Sequence, residues 1–600
     1  MKTLQTVCVR ATFSALLMAL VLAANAHAQD AGTAGRPARA AKQSQAETQP
    51  ARTRYRIDLQ LDFDGRAYTG TEQVSFVNRA DRAANALYFH LYSNLRQPGH
   101  RSAPHQPAPD EPRLEITGVR SVANGAALPF SLDEQGMVLR VNLREAVLPN
   151  ASAEIEIKFK GSVPEIDPEE TGLFVHVLQQ VGAALRSERE MRRARDINYL
   201  CRGVMLLGTS YPVLAAREGE DWQRKVEPTI GDVIFTETAD YEVSVDAPAD
   251  VALFSSAHAR ETAKKSERVG NLVREFAGDN LRDFAIVGGR SLRSAERAVG
   301  GVTVRSVFVP EHETTARRVL ASAAEAVRVY QERFGPAPHK LVSIVDAPLV
   351  AGLGSAEFSG LGVIASAFYV DFDSPSMRNL PEIVREQRAS LEDSLEFTAA
   401  HVVAQQWWGV GVGNDPERDP VLDEALANWS ALLYYKEVHS EERAAAALDD
   451  QLRGVYKVYR TFGGEDMVAT RPAREYRNFF QYAAIVASKG ALMFVSLRRL
   501  MGDEKFFAAL RSYYETNVYE VAEMDDLRGA FVGEAPRAQR RAVTRTFTRW
   551  LANKRGDEDI APPDPNLAAA LGLNPNVVKN DRNAFARLGR FFWQQMTRLR

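Results

Sequence analysis

Cysteine is nearly absent: two residues, Cys8 and Cys201, in a chain of 600. Cys8 lies in a stretch that reads as a removable leader, so the remaining chain is left without an internal disulfide. Stability must then come from core burial, which a chain of this length can supply. Cys201 reads as a small, buried, apolar side chain. A charge excess of either sign is lacking too: 74 Lys and Arg against 77 Asp and Glu give a net charge of -3. No basic block interleaved with aromatics occurs before the last 20 or so residues, so nucleic acid is not an expected partner. No internal repeat is visible. Beyond the leader, no run is expected to be long and apolar enough to cross a membrane.

What is present is ordinary globular composition, 45% hydrophobic and 25% charged, over a length that calls for two or three domains. Residues 1–28 read as a signal peptide: Lys2 and Arg10, an apolar run from Phe13 to Ala23, then small-x-small at Ala26-His27-Ala28. The expected location is therefore exported, periplasmic or extracellular. Residues 29–54, rich in Ala, Gln, Thr, Pro and Arg, read as a flexible linker.

From Tyr55 the chain alternates apolar and polar residues, as in Tyr55-Arg-Ile57-Asp-Leu59-Gln-Leu61, and again at Ile155, Ile157 and Phe159. Such runs, divided by Gly, Asn, Asp and Pro, predict antiparallel strands and a β-rich domain over 55–257. His90, His100 and His105 read as surface histidines. Helical spacing takes over at 314–334, 391–408 and 478–500. Another helix is expected after Pro420, with Asp419 as its cap. Residues 582–600 read as a basic amphipathic helix that docks back on its own domain or meets a membrane surface or another protein.

The chemically loaded stretch is 397–435. An H-E-x-x-H zinc motif followed, after 18 intervening residues, by Glu puts two His on one helical face at i and i+4. Its inner Glu is the general base and the far Glu the third ligand. In this frame the chain has His401, Val402, Gln405 and Glu424. Standing alone among apolar neighbours, His401 would read as a hydrogen-bonded core histidine.

These residues resemble the membrane alanyl aminopeptidase (aminopeptidase N) family of gluzincin zinc metallopeptidases, in its shorter bacterial branch. The match takes in Tyr211-Pro212, Gly354-Ser-Ala-Glu357, His401 to Gly409, Gly413-Asn414-Asp415, Leu422-Asp-Glu424 and Lys489-Gly490. The resemblance implies a multidomain α+β fold: a saddle-like antiparallel β domain over 55–257, then a thermolysin-like, mainly helical peptidase domain over 258–555; the linker and tail helix over 556–600 are read from the residues alone.

It also assigns positions. His401 and Glu424 fall at the first and third zinc ligands, Gln405 at the second, and Val402 at the general base. Ala487 falls where the family's Tyr donates to the oxyanion, and Glu357, with Gly354, where the substrate's amino terminus is held. Tyr482, about 140° away on an α-helix, is not expected to substitute for that Tyr. Three of the positions that do zinc chemistry lack the needed group, so catalysis is expected to be lost and no cofactor is expected, with a direct His401–Glu424 pair where a metal would sit. The expected function is a pseudo-peptidase that binds a peptide or protein amino terminus. The alternatives are an active zinc aminopeptidase with an atypical site and an envelope scaffold acting through the tail helix.

Overall fold

The computed structural model describes residues 52–565, apart from 96–111, 134, 174, 177–190, 192, 220, 227–228, 261–262, 351–353 and 376–387. The expectations for 1–28, most of 29–54, His100, His105 and 582–600 lie outside the described residues.

The alternation from Tyr55 onward builds one twisted sheet. Its path runs His258–Ala259, Asn271–Leu281, Ala239–Pro248, Arg54–Asp62, Ala67–Val77, Ser152–Ser162 and Arg113–Ser121. In Arg54–Asp62 every second residue is buried, the inward set being Tyr55, Ile57, Leu59 and Leu61. The pairing is antiparallel except between Arg54–Asp62 and Ala239–Pro248, which run parallel with Tyr55 opposite Tyr241. The two rings stack at 4.7 Å. A smaller sheet of Val213–Leu214, Ala84–His90, Val138–Val147 and Phe130–Leu132 closes this region.

The first sheet runs beyond residue 257, since Asn271–Leu281 is one of its strands. The transition is made by a four-stranded sheet, Ala252–Ser255, Ile286–Gly289, Val204–Leu207 and Asn198–Cys201. Both of its faces are covered. Met205, Leu207 and Ile286 face the first core, and Val204, Leu206 and Val287 the second. The two-residue period of a strand divides the cores here.

The second core lies under a mixed five-stranded sheet, ordered Arg293–Val299, Val302–Phe308, Leu341–Ala347, Leu361–Ala365 and Ser355–Phe358. Against it pack the helices Glu313–Phe334, Arg388–Gln405 and Val421–Val438. The last begins after Pro420 without a side-chain cap, so Asp419 does not have the expected role. Trp407, Trp408, Trp429 and Phe397 are buried between these helices, as their size suggests. The segment Phe479–Met501 is, against expectation, long and apolar enough to cross a membrane, but 83% of its most apolar window is buried inside the protein. It is a core helix.

His90 is also corrected. It is buried, with Nδ1 3.1 Å from the Tyr92 hydroxyl and Nε2 2.8 Å from the Gln223 carbonyl. Burial lowers its pKa to about 4, so it stays neutral.

Candidate functional site

Two helices and one β-hairpin meet at the zinc-motif positions. On Arg388–Gln405, His401 and Gln405 are one helical turn apart and both fully buried. On Val421–Val438, Glu424 and Asn428 hold the same i, i+4 relationship facing them. His401 Nδ1 lies 3.0 Å from Asn428 Oδ1, and the Asn428 amide donates to the Ala487 carbonyl at 3.2 Å. Burial drives the His401 pKa down to about 4, only partly offset by Asn428, so the ring is neutral.

The expected direct pair between His401 and Glu424 is not formed. Nε2 stands 3.7 Å from Glu424 Oε2, beyond hydrogen-bond reach, and a neutral ring makes no ion pair. Gln405 Nε2 is turned toward the same Oε2 at 3.5 Å. Val402 faces away into the core, packed on Gly362 of the strand Leu361–Ala365.

The helix around Ala487 has changed geometry. Residues Ala483–Lys489 are π-helical, and i→i+5 bonding brings residues five apart onto nearly one face. Tyr482 and Ala487 are therefore not 140° apart, as an α-helix would have placed them. The buried Tyr482 hydroxyl has its pKa raised by burial first, then by the charges of Glu424, Asp423 and Asp232. A regular α-helical period does not anticipate the π-helical turn that follows Tyr482.

Beside Gln405 is a cavity of about 60 Å³, room for a few waters or one small group, whose lining includes neither His401 nor Glu424. Its walls include Arg193, Asp232, Asp283, Glu357, Gln405 and Asp423. Glu357 comes from the hairpin strand Ser355–Phe358. Gly354 is not on these walls; its carbonyl accepts from the Ala365 N–H at 2.9 Å and shapes the hairpin. Asp283 and Asp423 each have a pKa raised to about 7, by burial and by the neighbouring Asp232 charge. Asp423 and Asn428 carried a sequence signal, being one and four residues from Glu424. Asp232 and Asp283 carried none, because loops far apart in sequence bring them here.

The retained motif letters hold the fold. Gln406 bridges the hairpin, donating to the Phe358 carbonyl at 3.1 Å and accepting from the Gly360 N–H at 2.8 Å. Trp407 and Trp408 donate to the Gly335 carbonyl and to Ser430 Oγ. Gly409 adopts a φ of 96°, which favours glycine.

A hydrolytic zinc takes three protein ligands and a water. His401 and Glu424 supply two, while Gln405 turns an amide nitrogen to the centre. Among the described residues no group of three or more His, Cys, Asp or Glu could hold a metal ion. The residues present do not fit a catalytic zinc.

Layered mixed sheets ahead of helices that carry this frame define the fold of the zinc metallopeptidases. Residues 380–550 match the Peptidase family M1 domain. Among solved structures it is similar to the M1 zinc metallopeptidase of Deinococcus radiodurans, at 17% identity and a TM-score of 0.53, over 84% of this chain and 94% of that one. A Glu-to-Ala mutant of the same enzyme gives a TM-score of 0.55 at 16% identity over the same shares. That mutant bound to Tyr-Ser-Ala substrate gives 0.53 at 17%, again over 84% and 94%. At such identity the likeness is one of fold. No curated protein matches the chain.

Proposed function

We propose that this chain is an exported M1-family homologue without peptidase activity that holds a peptide or protein amino terminus in the old cleft. The observation that carries the reading is Val402. A hydrolytic centre needs a group that takes the proton of the attacking water, and at that position the chain has a buried apolar side chain packed on Gly362. The amide at Gln405 and the methyl at Ala487 point the same way, removing a ligand and an oxyanion donor. Glu357 on the cavity wall supports amine binding, since a carboxylate pairs well with an ammonium group. In the Deinococcus enzyme a Glu-to-Ala mutant is described bound to Tyr-Ser-Ala substrate; loss of a glutamate there is compatible with substrate binding. Export rests on the leader-like pattern of residues 1–28, and zinc belongs to the alternative of an atypical active enzyme.

The test is elemental analysis of the purified protein alongside an aminopeptidase substrate assay on the same sample. Metal far below one per chain with no turnover is the expected result. Stoichiometric zinc with turnover that His401→Ala abolishes would overturn the reading.

A further inference from the structure

Surface arginines on the helices of this protein commonly pair with a carboxylate of the same helix. Arg317 meets Glu313, Arg328 meets Glu325 and Glu332, Arg388 meets Glu392, and Arg453 meets Asp449. One helix departs from this. In Arg540–Phe547, continued by the π-helical turn Thr548–Ala552, the side chains of Val543, Phe547, Trp550 and Leu551 are buried. Arg541 and Arg545 stand four residues apart on the open face, and Arg537 lies four residues further back in the preceding turn. All three are exposed, and none has a carboxylate partner among the described residues. Like charges at this spacing repel, so the row opposes the helix that carries it.

The carboxylates of the adjoining elements are engaged elsewhere. Asp525 pairs with Arg528, Asp526 accepts from the Glu523 N–H, and Glu558 and Asp559 pair with Arg549. Glu534, three residues before Arg537, makes no ion pair with it. Arg540 turns away, donating to the Gly533 and Ala535 carbonyls. The row is therefore a patch of uncompensated positive charge on a chain whose net charge is -3.

A second observation lies in the chain that follows. Asp559 is held against this helical segment by Arg549, and the Asp564 N–H donates to Thr461 Oγ1. Residues 566–581 then separate the described chain from 582–600, and such a stretch can span up to about 50 Å. Residues 582–600 carry five arginines and no Asp or Glu, interleaved with Phe585, Leu588, Phe592, Trp593 and Met596. Arginine mixed with aromatic and aliphatic residues is the composition of a segment that lies in a membrane interface.

We infer that the row Arg537, Arg541 and Arg545 is a docking surface for an anionic phospholipid bilayer, with residues 582–600 inserting beside it. Lipid phosphates accept paired N–H donors from guanidinium groups. An apolar insertion or a basic patch alone gives weak, reversible binding, and the two together hold. A soluble acidic polymer would satisfy the arginines and leave the adjoining Phe and Trp side chains in water. The inference goes beyond the proposed amino-terminus binding and is independent of it.

The test is co-sedimentation of the full chain with phosphatidylcholine vesicles and with vesicles in which about a third of the lipid is phosphatidylglycerol, at about 0.1 M and about 0.5 M salt. The natural protein is compared with the triple variant Arg537→Gln, Arg541→Gln, Arg545→Gln and with the double variant Phe592→Ser, Trp593→Ser, matching thermal melts showing that both variants fold. The expected result is binding to the anionic vesicles and not to the neutral ones, weakened by high salt, by the tail changes, and about tenfold or more by the arginine changes. Binding that the arginine changes leave untouched overturns the row as a docking surface, also where the tail changes abolish it. Equal binding to neutral and anionic vesicles overturns it as well. Binding that needs the arginines and ignores the tail changes upholds the row and overturns the insertion. Absence of binding to either vesicle overturns the bilayer as occupant. Soluble polyglutamate that displaces the protein from anionic vesicles at low concentration also overturns the bilayer, in favour of an acidic protein partner.

Discussion

Val402 sets a Cγ1 methyl into the notch left by Gly362, where a Cβ on that glycine would come within 2.0 Å of it. Helix and sheet approach closely there, with Ile344 forming the far side of the same notch. Val402→Glu would push a carboxylate into this dry contact. We expect it to destabilise the protein by about 2–4 kcal/mol and to restore no turnover, since burying an unpaired charge is costly. Urea unfolding and an aminopeptidase assay check both parts. Turnover from this single change would show that metal and substrate geometry are already in place.

Lys489 and Gly490 belong to the motif and to the core. Lys489 is buried and donates to Asp466, the Met467 carbonyl and the Asn553 carbonyl. Lys489→Met would strand a nearly buried carboxylate, for an expected loss of about 3–5 kcal/mol. Gly490 lies against Val421 and Ala425, with an added Cβ 2.9 and 2.8 Å from them. Gly490→Ala should cost about 1–3 kcal/mol through overpacking. Denaturant midpoints measure both, and unchanged midpoints would assign these residues a role outside packing.

The relay His401–Asn428–Ala487 ties both site helices to the π-helical turn. Asn428→Ala leaves the His401 Nδ1 proton and the Ala487 carbonyl without their partner. We expect about 1–3 kcal/mol of lost stability and a mixed tautomer at His401. Ring-15N spectra of the variant read the tautomer directly.

Glu72 makes the N-terminal domain sensitive to pH. It is fully buried in the strand Ala67–Val77, and neither carboxyl oxygen has a hydrogen-bond partner among the described residues. Burial raises its pKa well above the ordinary value of 4.5. In the unfolded chain the group ionises near its ordinary pKa, while the folded state keeps the proton. Folding is therefore unpenalised at acid pH and loses stability as the pH rises past the unfolded value. Glu72→Met should change little at pH 4 and stabilise by about 1–3 kcal/mol at pH 8. Thermal melts at the two pH values decide it. An equal effect at both would mean that Glu72 finds a counter-charge.

Much of the molecule was written locally. The two-residue alternation at Tyr55 to Leu61 fixes which side chains face inward, because successive strand residues point to opposite faces. The spacing of His401, Gln405 and Glu424 determined that these side chains would meet, and the letters Val402 and Ala487 determined which chemical groups the centre lacks. Three-dimensional packing decided the remainder. The parallel pairing of Arg54–Asp62 with Ala239–Pro248, and the continuation of the first sheet past 257, come from long-range strand contacts that no local pattern encodes. The π-turn at Ala483–Lys489 is a change of helical period invisible in residue types. Asp232 and Asp283 reach the cavity from separate loops. The tautomer of His401 is set by an asparagine on the next helix and a carbonyl on a third element, which together fix one proton. The chain's letters determine what each group can do; the packed structure determines which groups must face each other, because hydrogen bonds and charge depend on distances that only the folded chain sets.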